Sequence, residues 1–176
     1  MQIFAPAPAS IQPFAPVAVP APLPVPPVPG GPVPVVPPLF NFPGIAKGDL
    51  FDLAKGSKVG MFSPKGTASV DLFDASAASF HIKAGAFGVN VDMLVAVQRI
   101  SDKQVKLTTT SSDGKVTTST GDILAARENF AEFVSTDGKN EHTIIQANGK
   151  GLVTLDAVVP TFGAAHLVLQ KHVQPG

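Results

Sequence analysis

The stretch Phe87-Gly88-Val89-Asn90-Val91-Asp92-Met93-Leu94-Val95-Ala96-Val97 decides the fold class. Val89, Val91, Met93, Val95 and Val97 share one parity, while Asn90, Asp92, Leu94 and Ala96 take the other. Side chains of a strand alternate between its two faces, so this pattern predicts a long strand with one apolar face. A helix would scatter those valines around its axis, and β-branched residues favour the extended chain.

The same period continues on both sides. Ala68, Val70 and Leu72 alternate within Thr67 to Leu72, and Phe80, Ile82 and Ala84 oppose His81 and Lys83. Val105, Leu107 and Thr109 oppose Gln104, Lys106 and Thr108, and Ser101-Asp102-Lys103 supplies a turn before them. Near the end of the chain, Ala164 to His172 places Ala165, Leu167 and Leu169 on one face. Asp113-Gly114, Asp137-Gly138 and Asn148-Gly149 suit the positive φ angles of tight hairpin turns. If Asp113-Gly114 is a two-residue turn, Ser111 faces Val116, Thr109 faces Thr118 and Leu107 faces Thr120. A two-residue turn at Asn148-Gly149 puts Ile145 opposite Leu152. Residues 122–134 are ambiguous, because Ile123, Ala126, Phe130 and Phe133 also fit a helical face. The Asp137-Gly138 turn favours a strand over 129–135, with 123–128 irregular. Gly48 to Gly56 predicts a short helix, with Asp at its start, Lys55 at its end and Leu50, Leu53 and Ala54 on one face.

The count is about eight to ten antiparallel strands, which predicts an all-β domain over residues 45–176. A barrel or half-barrel is the expected architecture, with a sandwich as the alternative. Closure removes the exposed edges that a Val-rich sheet would otherwise present.

Residues 1–43 are of another kind. They hold 15 of the 18 prolines, and the first charge in the chain is Lys47. Proline fixes φ, removes a donor and pushes the preceding residue to extended geometry. A disordered, polyproline-II-like tail that adds nothing to the fold is therefore expected. Pro24 to Pro27 and Pro34 to Pro37 have PxxP spacing, which offers the tail to a protein partner, but no flanking basic residue accompanies them. Phe4, Phe14, Phe40 and Phe42 are spaced apolar anchors.

Charge and chemistry exclude several functions. Lys plus Arg and Asp plus Glu are 13 each, so no basic excess points to nucleic acid. The absence of Cys removes disulfides, thiolate catalysis and Cys-ligated metals. No basic n-region or long proline-free apolar run predicts a signal peptide or an integral membrane helix, so a soluble cytoplasmic protein is the default, with export by another route left open. His166 and His172 share parity but lie roughly 20 Å apart at strand rise, too far to chelate together. His81 belongs to a polar face, and His142 is expected to face inward with Ile144. Asp102, Asp113 and Asp137 belong to turns, where Asp bonds its own backbone.

No set of residues has assignable catalytic roles, and no cofactor or metal is implied; a non-catalytic protein is expected. Two functions fit. The first is binding of an apolar, lipid-like small molecule in a barrel mouth, with Val89, Val91, Met93, Val95, Phe130 and Phe133 as candidate lining. The second is a structural or protein-interaction module on a Pro-rich stalk, with no small ligand.

Overall fold

The computed structural model describes residues 30, 32, 35–159, 163–173 and 175. Expectations for residues 1–29 lie outside this set. Within it the chain forms eleven strands and no helix. They are β1 (Leu50–Leu53), β2 (Lys58–Val59), β3 (Lys65–Phe73), β4 (Ala77–Ala86), β5 (Val89–Arg99), β6 (Gln104–Ser111), β7 (Val116–Arg127), β8 (Phe130–Ser135), β9 (His142–Ala147), β10 (Leu152–Val159) and β11 (Gly163–Lys171).

From β3 to β11 each strand pairs antiparallel with the next, and β1 pairs with both β3 and β11. The ring β1-β3-β4-β5-β6-β7-β8-β9-β10-β11 is thus a closed barrel, with β2 as an extra pairing on β11. The barrel alternative holds and the sandwich does not. Inward side chains such as Phe51, Val70, Phe80, Val97, Ile145 and Leu169 fill the core.

The expected helix at Gly48 to Gly56 is instead strand β1. Local capping signals lose to closure: β3 and β11 each need a partner along their edges, and Leu50–Leu53 supplies both. Alternation replaces the helical face. Phe51 is buried and Leu53 half-buried, while Leu50 and Asp52 are exposed.

The closing seam contains a break. From Leu53 to Val59 the chain advances six residues, while its partners on β11, Leu169 and Ala165, are four apart. The surplus bulges out, and Ser57 repairs the ladder with its side chain. Its buried hydroxyl accepts from Val168 N–H at 3.0 Å and donates to Val168 C=O at 3.2 Å. Val168 N–H, which a plain bulge would orphan, is thereby satisfied, while Val168 C=O also accepts from Ala54 N–H at 2.7 Å.

Three turns correct the expected registers. Gly114, Gly138 and Gly149 do have positive φ. At the first, however, Gly114 N–H donates to Ser111 C=O and Ser111 N–H to Lys115 C=O, which makes a three-residue loop with Gly114 left-handed. Thr109 therefore faces Thr117 and Leu107 faces Ser119, one residue off a two-residue turn. Asn148 also closes a three-residue loop, and Ile145 faces Leu155 rather than Leu152. Asp137-Gly138 lies in a wider loop between Ser135 and His142.

Residues 123–127 continue β7 rather than being irregular. A bulge between Ile123 and Ala125 turns both Ile123 and Ala126 toward the core. Those two residues, three apart, mimic one face of a helix in the sequence.

The boundary expected at Pro43 also moves. Leu39, Phe40 and Phe42 are buried members of the core, and the compact unit begins at Val35. This segment closes one end of the barrel. Leu39 N–H donates to Ala75 C=O, Asn129 N–H to Asn41 C=O, and Arg99 Nη1 to Pro37 C=O. Lys171 Nζ reaches Gly44 C=O at 2.9 Å and Asp49 Oδ2 at 2.8 Å. The bonds made by Leu39, Asn41, Pro37 and Gly44 tie the plug segment to turns and strand ends at the same rim.

Candidate functional site

With one end plugged, the other end is the barrel's mouth. It is framed by the turns at 60–64, 87–88, 112–115 and 136–141. Two cavities lie below it. The outer one, of about 60 Å³, is lined by Val59, Phe62, Ala84, Val89 and Val91. The inner one, of about 100 Å³, is lined by Val95, Thr109, Ser119, Phe133 and Thr143. Ile82, Met93 and Leu167 belong to both and form the partition.

Strand pairing explains this wall. Ile82 is the cross-strand partner of Met93, and Ala84 that of Val91. The small side chain of Ala84 leaves room where a larger one would meet Val91. Val97, buried in the core cluster, continues the same face to the inner end of the inner cavity, so the stripe on β5 runs from exposed rim to buried cavity wall.

The interior has two chemically distinct sides. β4, β5 and β11 contribute Ile82, Val91, Met93 and Leu167. β6 to β9, with Glu141 of the loop before β9, add the polar groups Thr109, Thr117, Ser119, Ser135, Glu141 and Thr143 among the apolar Leu107, Phe133 and Ile145. Glu141 follows the Ser135 pairing: Ser135 N–H donates to its carbonyl, and Ser135 Oγ accepts from its N–H at 3.1 Å. Among the described residues its carboxylate has no ion-pair partner within 4.0 Å.

Of the residues expected to line a site, Val89, Val91, Met93, Val95 and Phe133 are together around these cavities. Phe130 is not. It has the opposite parity to Phe133 on β8, and the Arg127 guanidinium covers its ring at 3.8 Å from the centroid. The hydroxyl-bearing side was missed because Thr and Ser runs are sufficiently explained by strand propensity. Only the one-residue register shift at Gly114 settles which of them pair across β6 and β7.

His142 is exposed on the outer face, 3.3 Å from Glu132, and it is Glu141 and Thr143 that face inward. All four histidines lie beside a carboxylate: His81 by Asp92, His142 by Glu132, His166 by Asp156 at 2.5 Å and His172 by Asp52 at 2.9 Å. The hydrogen bond from His81, aided by the charges of His81 and Lys83, holds the Asp92 carboxyl below the usual range. These pairs occupy the outside of the barrel, away from the cavities.

Compared with known families and with curated proteins, the chain matches none.

Proposed function

We propose that this protein is a non-catalytic carrier or sensor that takes an apolar, lipid-like small molecule into the mouth of its barrel. The observation that supports this most directly is the asymmetry of the barrel. One end is sealed by Leu39, Phe40 and Phe42, and the other leads into apolar cavities divided only by Ile82, Met93 and Leu167.

Methionine is unbranched and adaptable, so a rotation of Met93 would merge the two spaces into one slot without moving the backbone. The ligand's apolar body would lie against Val91, Met93 and Leu167. Its polar end would face Thr143, Ser119 and Glu141, because a buried hydroxyl or amine needs a partner. Glu141 favours a neutral or cationic end over a carboxylate.

The outward faces fit a barrel surrounded by water. His81, Lys83 and Asp92, Glu132 and His142, and Asp156 and His166 form polar clusters on the outer faces of the strands. A membrane barrel has the opposite pattern, apolar outside and polar within. No helix of the described residues is long and apolar enough to cross a membrane.

The test is native mass spectrometry of the purified full chain after mild extraction, with titration of an apolar fluorescent dye. A copurified lipid-sized mass, or saturable dye binding, is expected. Neither signal, under conditions where the protein is folded, would transfer the argument to the structural-module reading.

A further inference from the structure

The rim of the mouth carries apolar side chains that the cavities do not need. Met61 is 93% exposed and Phe87 is 88% exposed. Phe62 and Val89, which line the outer cavity, are 45% and 50% exposed. The rings of Phe62 and Phe87 are 5.9 Å apart, so the apolar surface is continuous from the cavity lip to the loop tips. Phe87 is placed there against its own backbone preference. Phe87 and Gly88 form the two-residue turn between β4 and β5, with φ of 50° and 80°. That turn favours Asn-Gly, and a bulky residue at positive φ is strained. Its ring stays largely in solvent beside the partly exposed Phe62 ring, so packing within the fold offsets little of the strain.

Lysines flank this patch. Lys58 donates to Ser63 Oγ, and Lys65 has no acidic partner within 4.0 Å among the described residues; both are exposed. Asp92, the acid nearest in the pairing, is already engaged by His81 and Lys83.

We propose that this rim docks the barrel mouth onto an anionic lipid surface, with Met61 and Phe87 entering the headgroup region and Lys58 and Lys65 meeting the lipid charge. Apolar tips and basic neighbours are the two complementary signals of reversible surface binding. A symmetric second copy fits less well, because it would bring the same lysines face to face. The inference extends the ligand-binding reading, since it puts the mouth against the reservoir of an apolar ligand, but its measurement is separate.

The experiment is flotation of the full chain with vesicles of phosphatidylcholine alone, and of phosphatidylcholine with roughly one-third phosphatidylglycerol. Binding is expected only to the second, with release at high salt. Phe87→Asn relieves the turn, so its melting midpoint should rise while vesicle affinity falls on the order of tenfold, the scale of burying one aromatic ring. Lys65→Glu should also weaken flotation. Unchanged flotation of Phe87→Asn, or no flotation of the wild type, overturns the docking. So does a concentration-dependent dimer that Phe87→Asn abolishes. Dye titration separates the two readings: dye binding without flotation removes only the docking, and flotation without dye binding removes only the ligand.

Discussion

The ring of Phe40 meets the ring of Phe133 at 6.3 Å between centroids, edge to face. Phe133 lines the inner cavity, and Phe40 belongs to the proline-rich approach to the barrel. The plug is therefore the floor beneath the candidate site, and it has stability consequences that the proline count does not suggest.

Removing residues 1–34 should leave the melting midpoint of the remaining chain nearly unchanged, because the compact unit begins at Val35. Removing residues 1–43 should lower it sharply. Phe40→Ala alone is expected to cost about 3–5 kcal/mol, the range for truncating a buried aromatic. Denaturant titration of the three proteins checks this, and equal midpoints for the two truncations would contradict the plug.

Much of the fold was legible in the sequence because two-residue periodicity is local. The β5 stripe, the Phe80–Ile82–Ala84 face and the Ala165–Leu167–Leu169 face each needed only their own residues. What stayed hidden depended on partners. Strand β1 exists because β3 and β11 present edges to it, and Phe51 is buried through that pairing. Asp-Gly accepts both two- and three-residue loops, so Gly114 alone does not choose the register. Phe40 and Phe42 follow a segment whose prolines dominate its composition, and nothing local distinguishes a plug from a tether. In the site, β5 was visible by its parity. Glu141 was not, because its orientation rests on the pairing with Ser135.

Gly66 offers a test of the β3–β4 pairing beside the outer cavity. A Cβ there would lie 1.9 Å from Lys83 O and 2.7 Å from Ala84 Cα, both backbone atoms. Neither can rotate away, so the strands would have to separate. Gly66→Ala should cost about 3 kcal/mol or more, whereas Thr67→Ala on the exposed neighbouring position should stay within about 0.5 kcal/mol. Comparable costs from chemical denaturation would refute the close approach.

Acid sensitivity follows from three carboxyls held below the ordinary Asp value of 3.8: Asp74, Asp92 and Asp137. The causes are local hydrogen bonds, led by Ser76 N–H for Asp74, His81 for Asp92 and Lys139 N–H for Asp137. A depressed carboxyl stabilises the fold above its unfolded value, and that contribution disappears as pH falls through the folded value. The melting midpoint should thus decline below about pH 4, and Asp92→Asn should decline less steeply there. At neutral pH, Asp74→Asn should melt below the wild type, because the carboxylate that accepts from Ser76 and Ala77 is lost. An acid slope that Asp92→Asn leaves unchanged would remove the His81 pair from this account.

The last prediction concerns the cavities and the polar end of the ligand. Val91 is half-buried and lines the outer space with Ala84 and Met93. Val91→Phe should fill that space, keep the melting midpoint close to wild type and abolish dye binding. In a packed core the same overpacking costs about 1–3 kcal/mol. Glu141→Gln separates ligand classes without altering the apolar wall. Removing its charge should raise affinity for a fatty-acid probe on the order of tenfold, because a like charge no longer faces the carboxylate. Affinity for a long-chain alcohol should change little. Parallel titrations of both probes on wild type, Val91→Phe and Glu141→Gln make the comparison. A Val91→Phe protein that melts far below wild type and a wild type that binds neither probe would together identify the barrel interior as filled core.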